Sequence, residues 1–234
     1  TRMAGVRGYP LRLVLLLGYA ILFALLWHVC KTPWWWLPVL IGLAWWLLAL
    51  VWLVRSRFAA QPTRGHILLK LLAGALVVVP AWVAVVVMHG DTAQPDTGRG
   101  HWWVVFFACI VFAADIGAFS AGTRWGRVKL APAISPGKTR EGVYGALVSS
   151  GIVGLVGGAL LKVPAERLPA IVALALLTAL FSVVGDLFES LIKRHAGVKD
   201  SGALFPGHGG VFDRMDSLVA ALPVFVLGKF LLGL

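Results

Sequence analysis

Seven runs of apolar residues alternate with short polar breaks along the chain, and each is close to the roughly 20 residues needed to cross the hydrocarbon of a bilayer. The runs cover residues 11–29, 33–54, 67–88, 102–121, 143–161, 168–188 and 217–234, and they predict seven transmembrane helices. Pro33, the Gln61-Pro62-Thr63 stretch, Gly90 to Gly100 and Pro132 to Gly137 supply the punctuation between them. The expected fold is therefore all-α, a polytopic integral membrane helical bundle forming a single transmembrane domain over residues 1–234. A cleavable signal peptide is not expected, because the first run is too long and lacks a small-residue cleavage site.

Composition agrees with this pattern. Hydrophobic residues make up 59% of the 234 residues and charged residues only 13%, whereas soluble domains carry about 25% charged residues. The mean hydropathy is +0.88. A net charge of +11 would suggest nucleic acid in a soluble protein, but here its placement argues for topology and for anionic small molecules, so no nucleic-acid partner is expected. The basic residues fall at the amino end (Arg2, Arg7, Arg12) and near residues 60 (Arg55, Arg57, Arg64, Lys70), 130 (Arg124, Arg127, Lys129, Lys138, Arg140) and 200 (Lys193, Arg194, Lys199, Arg214). The opposite side holds only Lys31, Arg99, Lys162, Arg167 and Lys229. Positive loops mark the cytoplasmic face, which puts Trp34 to Trp36 and Trp102–Trp103 near the outer interface as membrane anchors. Gly151, Gly154, Gly157 and Gly158 allow close helix contact, within a subunit or in a homodimer. Cys30 and Cys109 lie in apolar runs and read as packing residues.

Candidate chemistry lies with the acids. Asp115 and Asp186 sit in or near the end of apolar runs, where a charge costs roughly 2.5–3.5 kcal/mol unless it meets a partner, water or a metal. Asp186, Glu189, Ser190 and Lys193 share one helical face, with Glu189 and Lys193 spaced as a structural pair. Asp213 and Asp216 are three residues apart at the start of the last run, so both can face one cavity; alternatively Asp216 or Ser217 caps that helix. Between these acids lies a basic, glycine-rich segment that includes Lys193-Arg194, Lys199-Asp200 and Gly207-His208-Gly209-Gly210. Glycines expose backbone N–H groups to anions, and Lys and Arg neutralise phosphate. His208 suits acid–base work or phosphate binding, or it packs. A second patch, Ser135-Pro136-Gly137-Lys138-Thr139-Arg140-Glu141-Gly142, opens a helix on the same side. Carboxylates beside such loops suit phosphoryl or nucleotidyl transfer assisted by a hard cation such as Mg²⁺.

Residues 115–218 resemble the CDP-diacylglycerol synthase, or phosphatidate cytidylyltransferase, family. The motif order S-x-x-K-R, K-D and H-G-G-x-x-D-R-x-D is carried by Ser190, Lys193, Arg194, Lys199, Asp200, His208, Gly209, Gly210, Asp213, Arg214 and Asp216. Ser135, Pro136, Lys138, Thr139, Glu141 and Gly142 resemble the family's S-P-x-K-T-x-E-G element, and Asp115 stands where an acid is expected. Gly137 occupies a position where the family commonly has lysine. The resemblance implies that phosphatidate and CTP give CDP-diacylglycerol and pyrophosphate, with Mg²⁺ required and a monovalent cation such as K⁺ assisting. It also implies one or two further helices ahead of this region.

The expected roles follow from both readings. Asp186, Asp213, Asp216 and Asp115 are expected to hold metal. Lys193, Arg194, Lys199, Asp200, His208 and Arg214 are expected to be catalytic. Ser190, Gly209, Gly210, Ser135, Lys138 and Thr139 are expected to bind substrate. Residues 1–101 would then form amino-terminal helices and 102–234 the catalytic helices and cytoplasmic loops of a protein in a bacterial inner membrane. The alternatives are a CTP-dependent polyprenol or phytol kinase, and an ion-coupled transporter, which would spread acids through the depth of the bilayer.

Overall fold

The computed structural model describes residues 9–55, 64–90, 100–198, 201 and 210–234. In lipid a backbone must satisfy its own polar groups, and each apolar run does so as a helix. The order is α1 (Tyr9–Val29), α2 (Trp36–Arg55), α3 (Arg64–Gly90), α4 (Gly100–Trp125), α5 (Arg140–Leu160), α6 (Leu168–His195) and α7 (Asp216–Leu231). Five helical segments, Pro33–Arg55, Gly65–Gly90, Gly100–Trp125, Arg140–Leu160 and Ala165–His195, are long and apolar enough to cross a membrane. The 16-residue α7 is shorter, about 24 Å at 1.5 Å per residue. It is buried nearly all round and packs against α2, α3, α4 and α6, so it forms the axis of the bundle.

Close helix contact depends on small residues. Gly42 of α2 lies so near Pro80 of α3 that a Cβ there would collide with the ring, and Pro223 of α7 approaches the same spot at 3.4 Å. On α5, Gly151 meets Leu176, Gly154 meets Ala175, Gly157 meets Phe106 and Gly158 meets Ile171 and Leu168. This glycine face is used within the chain, against α4 and α6.

Two sequence expectations change here. Trp34 and Trp102 are exposed, as membrane anchors should be, but Trp35 and Trp103 are buried. Trp35 packs edge-on against Phe230 with ring centroids 5.1 Å apart, and the Lys229 ammonium sits 4.8 Å from the centre of the Trp103 ring. Cys30 is buried as expected, whereas Cys109 is exposed.

The helices are joined by one element that the all-α reading omitted. Strands β1 (Lys129–Ala131) and β2 (Ser135–Thr139) form an antiparallel hairpin, with Lys129 opposite Thr139 and Ala131 opposite Ser135. A two-stranded hairpin is marginal alone, and this one is held from both sides. The Glu141 carboxylate accepts from the Val128 N–H at 3.2 Å, and Arg194 of α6 donates to the Ile134 carbonyl at 3.3 Å. Chain connectivity brings the carboxy ends of α4 and α6 and the amino ends of α5 and α7 to the same end of the bundle as this hairpin.

Candidate active site

Three close approaches position the acids. Gly117 of α4 and Gly145 of α5 stand back to back, each where a Cβ would strike the other's carbonyl oxygen, and Ser149 ties the pair by donating to the Ala113 carbonyl at 2.7 Å. Asp115 lies two residues from this contact. Gly185 of α6 likewise lies against the Asp216 carbonyl and Ala220 of α7, which brings Asp186 and Asp216 side by side. Thr139 ends β2 and caps α5, its hydroxyl accepting from the Gly142 N–H at 3.1 Å, so the hairpin runs directly into α5 and carries Lys138 over the site.

These contacts enclose a cavity of about 720 Å³. Its acids are Asp115, Asp186, Glu189, Asp213 and Asp216, and its cations are Lys138, Lys193 and Arg214. Phe112, Phe119, Leu130 and Val183 form an apolar part of the wall, and Phe112 and Phe119 are exposed on the outer surface of α4. Asp115 lies ten residues before the end of α4 and Asp186 nine before the end of α6, about 15 Å at helical rise. The polar floor thus lies about 15 Å along the helices from the hairpin end, and the five cavity acids share that half of the bundle.

Two ion-pair systems organise the cavity. Lys138 reaches from β2 to Asp186 at 2.5 Å, so Asp186, for which no cation stood at helical spacing, has one supplied by the hairpin. Lys193 donates to Glu189 at 2.8 Å and to Asp213 at 3.1 Å. Asp213 further accepts from the Ser201 N–H at 2.9 Å and the Gly210 N–H at 2.7 Å. Burial alone would raise the Asp213 pKa; contacts with Glu189, the two amides and the Lys193 ammonium outweigh it and hold the carboxyl well below the usual carboxylate range. Asp216 is buried and accepts from the Ser217 N–H at 2.8 Å, with no side-chain cap on the preceding residue. Asp115, Asp186 and Asp216 are near enough for their charges to repel.

Several expected residues also have structural partners. Thr139 lines the cavity and caps α5. Arg194 braces the hairpin and is not part of the cavity wall. The Gly210 amide serves Asp213. Ser135 and Ser190 are half-buried outside the cavity wall. Lys199, Asp200, His208 and Gly209 lie outside the described residues. Glu189, read from sequence only as a pairing partner for Lys193, is a member of the cavity and its most buried acid, 2% exposed. Its spacing of three from Asp186 was the available signal.

The expected metal set also divides. Among the described residues no three His, Cys, Asp or Glu side chains form a ready metal-holding group; Asp186 is paired with Lys138 and Asp213 with Lys193. The donor chemistry nevertheless suits a hard divalent cation. Every acidic group is a carboxylate oxygen donor, three are mutually repelling, and the buried Glu189 Oε1 has no hydrogen-bond donor among the described residues.

A family model described as "Cytidylyltransferase family" matches residues 1–231. Among curated proteins, the chain is 38% identical over 224 residues to a phosphatidate cytidylyltransferase of Pseudomonas aeruginosa, covering 96% of this chain and 79% of the relative. It is 36% identical over 194 residues to the phosphatidate cytidylyltransferase of Haemophilus influenzae, covering 79% and 65%. A Synechocystis protein of the same name is 47% identical over 121 residues, covering 52% and 40%.

Proposed function

This chain belongs to the cytidylyltransferase family, and we propose on that footing that it is an integral membrane enzyme that converts CTP and phosphatidate to CDP-diacylglycerol and pyrophosphate. The observation that carries the reading is the cavity at the hairpin end, which joins a floor of carboxylates and cations to an apolar wall on α4. A lipid phosphate must keep its chains in the bilayer while its headgroup meets a triphosphate arriving from water. A site about one leaflet deep with one apolar side answers both needs.

In the reaction a phosphate oxygen of phosphatidate attacks the α-phosphorus of CTP. A new P–O bond forms, the bond to the bridging oxygen of the β-phosphate breaks, and pyrophosphate leaves with that electron pair. Lys138, Lys193 and Arg214 offset the charge of the phosphates, Arg214 through a bidentate fork. Lys193 commits two of its three N–H donors to Glu189 and Asp213 and keeps one for substrate. Asp186, Asp216, Asp115 and Asp213 would hold Mg²⁺, which supplies charge neutralisation and orientation of the triphosphate when bound. Positioning and electrostatics supply most of the rate in such transfers.

The excess of Lys and Arg at the hairpin end supports a site that faces the cytoplasm from a bacterial inner membrane. A homodimer belongs to the same proposal and is tested by mass in detergent. Purified protein incubated with phosphatidate and CTP labelled in its α-phosphate should place label in the lipid and release pyrophosphate. CDP together with a phosphorylated alcohol would instead establish a lipid kinase. Exchanging K⁺ for choline in the same assay tests the monovalent ion.

A further inference from the structure

Glu189 is the most secluded acid among the described residues, and the proposed reaction gives it no role. Its Oε2 accepts from Lys193, which lies one helical turn on, and the same ammonium reaches across to Asp213. Asp213 in turn collects the N–H groups of Ser201 and Gly210, the residues on either side of the segment 202–209. A chain of contacts thus runs from α6 through Lys193 and Asp213 to both flanks of the glycine-rich segment.

A lysine side chain is a flexible four-carbon stem, and an ammonium lining a cavity has no reason to stay in one place. Two carboxylates on different elements, Glu189 on α6 and Asp213 beyond it, remove that freedom. A surface pair could not do this, because exposed ion pairs hold geometry weakly. The burial of Glu189 is the physical condition for the hold, and an acid buried within a lipid-spanning bundle is unfavourable enough to call for a function.

We infer that Glu189 is a positioning residue, acting through Lys193 to fix the ammonium that meets the phosphates and to hold Asp213 over the flanks of the glycine-rich segment. The inference rests on the nucleotidyl-transfer reading for its effect on rate, and on geometry alone for its effect on Ser201. The effect of Glu189 on the substrate is expected to run through Lys193, the ammonium it holds. Once Lys193 is gone, replacing Glu189 should have little further effect on the substrate.

The test is a double-mutant cycle with Glu189→Gln and Lys193→Met, read by steady-state kinetics for CTP and by maleimide labelling of Ser201→Cys in a Cys109→Ser background. Glu189→Gln keeps the side chain's volume, so it is expected to remain folded and to lower kcat/KM for CTP by about tenfold or more. The double variant should be no slower than Lys193→Met alone, because both substitutions remove the same contact. Labelling of the thiol introduced at position 201 should accelerate severalfold in either single variant. Additive losses in the cycle would overturn the inference, as would a labelling rate at position 201 that neither substitution changes. If the parent protein makes no CDP-lipid, the functional reading fails by itself, and the labelling arm still decides the positioning claim.

Discussion

Helices α4 and α5 wall two cavities of nearly equal size, about 720 Å³ at the hairpin end and about 790 Å³ toward the other end. The first holds five carboxylates and three cations. The second is lined by Trp102, Val105, Phe106, Cys109, Ile152, Val156 and their neighbours, with Lys162 at its rim. Volume does not separate them. Both are compatible with insertion into lipid, but only the first carries groups whose burial is unfavourable unless ions, protons or substrate compensate. What marks a site in a membrane bundle is therefore the concentration of groups that lipid penalises.

The largest expected effect comes from removing one of those groups. Asp213→Asn replaces an oxygen that accepts from backbone amides with an NH₂ that cannot accept, and it weakens the hold on Lys193. Activity should fall by about 10²–10³-fold, with the protein still extracted and monodisperse in detergent. Turnover within a small factor of the parent would remove Asp213 from the machinery and erase much of the contrast between the cavities. Chelation of divalent ions should likewise abolish label transfer from CTP, with Mg²⁺ restoring it; full activity in excess chelator would exclude the metal role proposed for the carboxylates.

A smaller and sharper contrast lies between adjacent cations on α6. Lys193 lines the cavity and Arg194 braces the hairpin, so Lys193→Met should act mainly on kcat/KM. Arg194→Ala should act mainly on stability, by about 1 kcal/mol for one hydrogen bond to a carbonyl, seen as a lower thermal midpoint with modest kinetic change. Equal kinetic losses for both would mean that Arg194 reaches substrate after all.

The helices were legible because a span must be about 20 apolar residues long, and no other signal in this chain competes with that one. The acids were legible as exceptions to it. The hairpin was not, since Lys129-Leu130-Ala131 and Ser135 to Thr139 are too short to alternate and contain Pro136 and Gly137, which read as a break. Its closure depends on Arg194, 60 residues beyond Ile134. The pairing of Lys138 with Asp186 spans a similar separation along the chain. Glu189 was visible at helical spacing from Asp186 and Lys193, but spacing alone could not distinguish an outward pair from a buried one; burial is decided by α7 and by Gly185, which lets α7 approach.

The same substitution made at two points of the α4–α5 seam tests whether the seam is rigid where the acids are. Gly145→Ala would push a methyl group into the Gly117 backbone, which cannot yield without separating the helices, and Gly157→Ala would push one against the Phe106 ring, which can turn. Overpacking typically costs about 1–3 kcal/mol, so Gly145→Ala belongs at the upper part of that range with activity lost as Asp115 shifts. Gly157→Ala belongs at the lower part with activity kept. Thermal midpoints and label transfer measured on both variants check the ranking, and the reverse order would place the rigid contact at the wrong end.

The smallest effect is expected in the apolar cavity itself. Val156 is exposed on its wall, so Val156→Ala removes two methyl groups from an exposed surface. Stability should change by no more than about 0.5 kcal/mol and turnover by no more than about twofold. A selective rise in KM for phosphatidate, with KM for CTP unchanged, would instead mean that lipid chains of the substrate use this cavity. The two cavities would then be parts of one route along α4, and the division between a reacting end and an inert end would have to be abandoned.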